Sequence, residues 1–305
     1  MRNFPNNSHK PLDICLSVCY NLVIMNRLSI ERQAQVIKVL CEGNSIRSTA
    51  RITNTAINTV VRLLKEVGDA CATYQDICLR NLPCRIIQCD EIWSFCYAKQ
   101  KNVPEDKKGK IGYGDVWTWT ALDADTKLVI SWVVGLRTAK YAYWFMNDLQ
   151  SRLANRVQLT TDGHHLYLWA VEDAFGAEVD YAMLTKLYGP EPKGETRYSP
   201  AKCVGAKPKI IQGDPDPNKI STSYVERQNL TMRMSMRRFT RLTNAFSKKI
   251  DNHKMAVALY FMHYNFVRPH KALADPYPTT PAMAAGVSDH IWTFEKIVGL
   301  LNRAK

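Results

Sequence analysis

Residues 85–97 read Arg-Ile-Ile-Gln-Cys-Asp-Glu-Ile-Trp-Ser-Phe-Cys-Tyr. Isoleucines and aromatics without an intervening glycine or proline predict an extended strand, and in its middle stand two acids, Asp90 and Glu91. A carboxylate inside an apolar strand is costly unless its charge is compensated, and coordination of a divalent cation is one such compensation. Neighbouring side chains on a strand point to opposite faces, so both acids should not serve one cation without a bulge. Asp90 and Glu91 are therefore rival candidates for a single ligand position.

Downstream, a lysine-rich loop (99–110) leads into strands at 116–122 and 128–134, joined by a turn through Asp123, Ala124 and Asp125. Three strands with two returns begin a mixed or antiparallel sheet. Ala142, Phe145, Met146, Leu149 and Leu153 then recur at helical spacing, and a short strand at 157–161 ends at Asp162. A helix follows at 166–175, whereas 186–219 is rich in Pro, Gly and Lys and reads as a long surface insertion with basic residues suited to contact DNA. Ser223 and Glu226 have capping-box spacing, which predicts a helix running to Arg233. A further helix at 250–266 stops before Pro269, and an apolar helix at 291–301 closes a tail (271–305) expected to serve packing.

Upstream, Ile30, Ala34, Ile37, Leu40 and Cys41 share a helical face, a short helix starts at Ser45, and Ile57, Val60, Val61, Leu64 and Val67 mark a third. Three short helices with tight connections suit a helix-turn-helix. The polar side of the third, Asn58, Thr59, Arg62 and Lys65, offers amide, hydroxyl and cationic donors to a DNA groove. An ordinary small bundle with a solvated face is the bland alternative.

Charge points the same way. The 305 residues hold 41 Lys and Arg against 28 Asp and Glu, a formal charge of +13, with a pI near 9.3. A polyanion is the expected partner. Nine cysteines without paired Cys-x-x-Cys units read as small buried hydrophobes in a reducing cytosol, and no structural zinc is expected. The apolar tendency of 12–25 is broken by Asp13 and Asn21, so no membrane span is expected. Residues 1–25 are expected to be an extension ahead of a shorter start at Met25.

Asp90 in a strand, Asp162 at a strand end and Glu226 in the first turn of a helix form the acidic constellation. Converging carboxylates suit two Mg²⁺ ions ~3.5 to 4 Å apart, because Mg²⁺ is hard and takes oxygen ligands. Singly, each has another reading: an exposed acid at a strand edge, an acid opening the Asp162-Gly163 turn, and a helix cap. After Glu226 come Arg227, Arg233, Arg237, Arg238, Arg241, Lys248, Lys249 and Lys254 against one acid, Asp251, a strip suited to phosphates.

The segments Cys89-Asp90-Glu91-Ile92-Trp93, Thr161-Asp162-Gly163 and Tyr224-Val225-Glu226-Arg227-Gln228-Asn229 resemble the three acidic blocks of bacterial insertion-sequence transposases with a DDE triad. Arg233, seven residues after Glu226, resembles the basic residue that follows the third acid there, and Tyr264-Asn265, Arg268-Pro269-His270 and Leu273 resemble the end of such domains. The 64 positions between Asp162 and Glu226 exceed the simplest family pattern, which the 186–219 insertion would explain. The resemblance implies an α/β, ribonuclease-H-like mixed sheet flanked by helices (85–270), preceded by an all-helical helix-turn-helix domain (26–70) and a linker (71–84). It implies Asp90, Asp162 and Glu226 as catalytic metal ligands, Mg²⁺ with Mn²⁺ able to substitute, and His270 as a secondary candidate. It also implies double-stranded DNA, both element ends and target, as substrate, a homo-oligomer on DNA, and a cytoplasmic, nucleoid-associated place in a bacterium. A ribonuclease-H-like nuclease or resolvase without strand transfer, and a catalytically inactive helix-turn-helix regulator, are the rival readings.

Overall fold

The acid-bearing segment forms strand β1 (Ile86–Cys96), which lies inside a six-stranded sheet. The computed structural model describes residues 27–190, 201–240, 243–273 and 276–302. Strand β2 (Gly114–Asp123) runs antiparallel to β1, and β3 (Val129–Gly135) antiparallel to β2. The turn between them is built by Asp123, whose carboxylate accepts from the Asp125 and Thr126 amides and from the Thr126 hydroxyl. Asp123 therefore does the backbone work expected at a hairpin, whereas the Asp125 carboxylate pairs with Arg85.

After β3 the chain crosses through helix α4 (Ala139–Gln150) to β4 (Val157–Asp162), which pairs parallel with β1. A second crossover, α5 (Leu166–Phe175), leads to β5 (Val179–Tyr188), parallel to β4. Strand β6 (Cys203–Gln212) returns antiparallel at the edge, giving the order β3-β2-β1-β4-β5-β6. An antiparallel meander continued by two parallel strands through helices is the ribonuclease-H-like arrangement. The stretch expected as a surface insertion, 186–219, carries the end of β5 and the whole of β6, which extend the sheet. Residues 191–200, including Glu191 and Glu195, lie outside the described residues.

Helices cover both faces. Ser131 on β3 donates to Asp148 of α4, whereas its neighbour Trp132 packs on Phe261 from the opposite side, ring centroids 5.0 Å apart. Phe261 belongs to α7 (Ile250–Met262), preceded by α6 (Ser223–Ser235). Gln88 of β1 ties α6 down, because its side-chain oxygen accepts from the Tyr224 and Val225 amides at 2.8 and 3.2 Å. Beyond α7, buried Asn265 bonds both the amide and the carbonyl of Val129, each at 3.0 Å, and so acts as a one-residue strand on β3.

The N-terminal helices are α1 (Ile30–Cys41), α2 (Ile46–Ile52) and α3 (Ile57–Cys78). Ser29 and Ser45 cap the first two by accepting from the Arg32 and Ser48 amides. The linker expected at 71–84 is corrected in its larger part, since α3 continues unbroken to Cys78. It does so because its far half packs on α7: Gly68 meets Met255 so closely that a Cβ would stand 2.5 Å from its carbonyl oxygen, and buried Gln75 donates to the Ala258 carbonyl. Helix α8 (Pro281–Ala284) follows, and α9 (Phe294–Gly299) lies in the tail. Trp292 of the tail packs on Tyr74 of α3 and on Phe266. One hydrophobic core runs from Ala34 to Leu300, so the helices and the sheet share an interior. Among the described residues, no helix is long and apolar enough to cross a membrane.

Candidate active site

Strand β4 ends at Asp162, and its last pair with β1 is Cys89 with Thr161. One step further the parallel register sets Asp90 beside Asp162. Asp90 faces α6, where Asn229 donates to its carboxylate at 2.8 Å. Glu91 points to the other face, where Arg137 binds its carboxylate at 2.8 Å and reaches Asp162 at 3.6 Å. Even so, Asp90, Glu91 and Asp162 each present a carboxylate oxygen within 4.8 Å of the others. The expectation that strand alternation would keep Glu91 away is corrected. Because β4 stops at Asp162, the longer glutamate side chain reaches around its end without a bulge.

The electrostatics of the cluster suit a cation. Burial, then the charge of Asp162, push the Asp90 carboxyl up to about 6. The same two causes push Glu91 up to about 7, although Tyr167 and Arg137 partly offset them. Glu91 Oε1 is enclosed beside the buried Tyr167 hydroxyl. Three carboxylates held this close repel one another, and an all-oxygen donor set of this kind fits a hard divalent ion.

Glu226 lines the same cleft from the first turn of α6. Its capping-box role is corrected: the N-cap is Thr222, and the Glu226 carboxylate accepts from the Thr222 hydroxyl at 2.5 Å and from Lys186 of β5. It lies outside the tight trio, and Asn229, one turn along the same helix, bonds Asp90. Asp162 keeps its turn role, since its carboxylate accepts from the His164 amide at 3.0 Å. His164 and His165 line the cleft, and burial lowers the His164 imidazole below its ordinary range.

Four participants escaped the sequence reading. Asn229 was findable, because three residues beyond Glu226 on a helix is the same face. Lys186 sat in a stretch read as loop. Arg137 and Tyr167 carried no signal. Arg137 is placed by the end of β3, where the Tyr141 ring lies against Gly135, and its guanidinium rests 4.6 Å from the Trp117 ring centre.

The expected DNA contacts divide. On α3, Asn58, Arg62 and Lys65 are exposed and Thr59 is half-buried, with Arg62 3.9 Å from Glu66. Arg227, Arg237, Lys248 and Lys249 are exposed, and half-buried Arg233 lines the acidic cleft. Arg238 is half-buried and donates to Ser247, which bonds buried His253. Arg241 lies outside the described residues. His270 does not line the cleft; its Nδ1 accepts from the Ala272 amide and its ring meets Tyr264, a loop-fixing role.

No family model matches the chain, and no curated protein matches it. Among solved structures, the Mos1 mariner paired end complex with Mn is similar at 13% identity over 59% of this chain and 61% of that one, with a TM-score of 0.22. The piggyBac transposase synaptic complex with hairpin DNA is similar at 10% identity over 89% of this chain and 69% of that one, with a TM-score of 0.34. The Mos1 strand transfer complex is similar at 12% identity over 83% and 86%, with a TM-score of 0.23. The chain spans 61% and 57% of the first two Mos1 chains it matches. These similarities are low, and the ribonuclease-H-like fold is defined by the chain's own strand order and register.

Proposed function

We propose that the chain is a DDE-type DNA transposase of the bacterial insertion-sequence kind, which cleaves DNA at the ends of a mobile element and joins the freed 3′-hydroxyl to target DNA. The observation that carries this reading is the meeting of Asp90 on β1 and Asp162 on β4 at neighbouring parallel strand ends, with Glu226 of α6 lining the same cleft. Asp90, Asp162 and Glu226 would hold two Mg²⁺ ions, with Glu91 adjoining and Mn²⁺ able to substitute. Such ions, when bound, stabilise charge on the attacking and leaving oxygens of a phosphodiester.

The chain's own residues prepare that cleft. Arg137 restrains Glu91 and Asp162, Asn229 fixes the Asp90 carboxylate, and Lys186 with Thr222 holds Glu226. Arg233 in the cleft, with Arg227, Arg237, Lys248 and Lys249 outside it, supplies cations for phosphates. Asn58, Thr59, Arg62 and Lys65 present a duplex-reading face within a helix-turn-helix unit (26–70), and 85–270 forms the catalytic unit. A homo-oligomer would hold two element ends, and the protein would act on the nucleoid in the cytoplasm.

The test incubates the full chain with matched and scrambled element ends, in Mg²⁺ or chelator, and resolves products by strand. Cleavage and joined products restricted to matched ends and to Mg²⁺ are expected. Cleavage without joining would assign the cleft to a nuclease or resolvase, and binding without either reaction to a regulator.

A further inference from the structure

On the outer part of β1, alternation places Glu91, Trp93 and Phe95 on one face, and Tyr97 follows just beyond the strand's end. Across the ladder, Trp93 pairs with Trp117 and Glu91 with Trp119. Trp119 is fully buried, but from Trp117 outward the rings open to solvent: Trp117, Trp93, Phe95 and Phe246 are half-buried and Tyr97 is 36% exposed. The rings meet in two groups, with centroids 5.7 Å apart for Trp93 and Phe95 and 4.8 Å and stacked for Phe95 and Phe246 in the first, and 5.1 Å for Tyr97 and Tyr113 in the second.

Cations are spaced along this row. Arg137 lies 4.6 Å over Trp117, Lys248 4.7 Å over Phe246 and Lys107 4.5 Å over Tyr97. At one end Arg137 also holds Glu91 and Asp162, so the row starts at the acidic cleft. From Glu91 to Phe95 it runs about 13 Å along the strand, and Tyr97 adds a ring just beyond the strand's end.

We propose that this row is a stacking platform for the unpaired bases of a DNA strand whose backbone leads into the Asp90, Asp162 and Glu226 cleft. The placement rests on the reading of that cleft as a DNA-processing centre; the ligand chemistry does not. Half-open aromatic rings interleaved with cations are what a single strand needs, because every base has a π-face and its phosphates seek Lys and Arg. A sheet aromatic row of this length takes two or three bases. A duplex has its bases stacked inside and leaves these rings unused. Asp115, half-buried opposite Phe95, offers an acceptor to base amino groups.

The experiment measures binding of the full chain, with chelator present, to a short fluorescein-labelled oligothymidine and to a blunt duplex. Fluorescence anisotropy and tryptophan quenching are read together. The wild type is expected to bind the single strand with quenching. The Trp93→Leu, Phe95→Leu double variant should lose at least about tenfold in single-strand affinity, with under about twofold change for the duplex. Phe246→Leu, on a loop outside the sheet, should lose single-strand affinity in the same selective way and decides the matter if the double variant does not fold. Absence of single-strand binding by the wild type, or equal losses for both DNAs in variants with unchanged melting, would overturn the platform. No turnover enters the assay, so a chain that binds single strands but cleaves nothing removes the proposed activity and leaves the platform standing.

Discussion

Asp90 and Glu91 are chain neighbours with opposite surroundings, and their charges are managed differently. Asp90 is held by a neutral amide, Asn229, whereas Glu91 is neutralised in part by Arg137. If Asp90 and Asp162 bind the proposed cations, Asp90→Asn and Asp162→Asn should each cut cleavage by on the order of 10³-fold or more, with DNA binding and melting temperature retained. Glu226→Gln should act likewise. Glu91→Gln keeps the shape but weakens the hold on Arg137, so a smaller loss, about tenfold, is expected; gel assays on intact and pre-nicked ends would check all four. Full activity of Asp90→Asn with an inactive Glu91→Gln would transfer the ligand role to Glu91.

A second residue-scale prediction concerns His253, fully buried between Ser247, which bonds its Nδ1 at 2.8 Å, and Ser94 at 3.3 Å from its Nε2. Burial, then the nearby Arg238 charge, lower this imidazole to about 3. Its folded pKa lies below the unfolded value of about 6.5, so the unfolded chain binds the extra proton. The contribution is therefore complete above pH ~6.5 and is lost as pH falls from there towards 3, by roughly 1.4 kcal/mol per pH unit. Asp90 and Glu91, shifted upward, work in the opposite direction, which requires a difference measurement. Urea melts of wild type and His253→Gln from pH 7 to 5 should show the wild type's advantage shrinking as acid is added; a constant gap would contradict it.

At the scale of elements, what was legible followed the strength of the local pattern. Strand β1, the hairpin into β3, α4 and the end of β4 announced themselves through apolar runs, turn acids and helical spacing, and with them came Asp90 and Asp162. Strand β6 did not, because it is exposed along most of its length, its sequence Cys-Val-Gly-Ala-Lys-Pro-Lys-Ile-Ile-Gln lacks alternation, and Pro208 is tolerated only because β6 is a sheet edge. Missing β6 hid the β5 end as well, and with it Lys186 as a partner of Glu226. The far half of α3 went unread for another reason: the apolar run that marks it was followed only to Val67, whereas the helix continues through Gly68, which stands in close approach to Met255. Gly68→Ala should therefore destabilise the chain by about 1–3 kcal/mol through overpacking, against the usual gain from alanine in a helix. Chemical denaturation would show it, and a stabilised Gly68→Ala would mean that α3 and α7 can separate without cost.

At the scale of the whole molecule, the shared interior decides how the N-terminal helices can be studied. Residues 26–70 contain α1, α2 and about two thirds of α3, so the cut removes Cys71 and Gln75 and strips Gly68 of α7. It also removes α9, which packs on α1 and α3 from the far end of the chain. A fragment of about 45 residues is near the lower limit for a core that stands alone, and short helices without tertiary packing are marginal in water. The fragment should show weak helical circular dichroism and no cooperative melt, while the full chain melts with both regions together. Contacts of the α3 face with DNA therefore belong in the full chain, where Arg62→Ala is expected to weaken duplex binding several-fold at physiological salt without moving the melt. Removing the exposed pair Lys248 and Lys249 as glutamines should lower the slope of log affinity against log salt by about 1 to 2, since each phosphate contact releases roughly one counterion. The two effects are separable: a groove contact changes affinity at fixed salt for one DNA sequence more than another, whereas the loss of phosphate contacts flattens the salt dependence for every sequence alike. An Arg62→Ala protein with wild-type affinity for all duplexes, or a cooperatively folding 26–70 fragment, would break the link drawn here between the α3 face, the shared core and DNA.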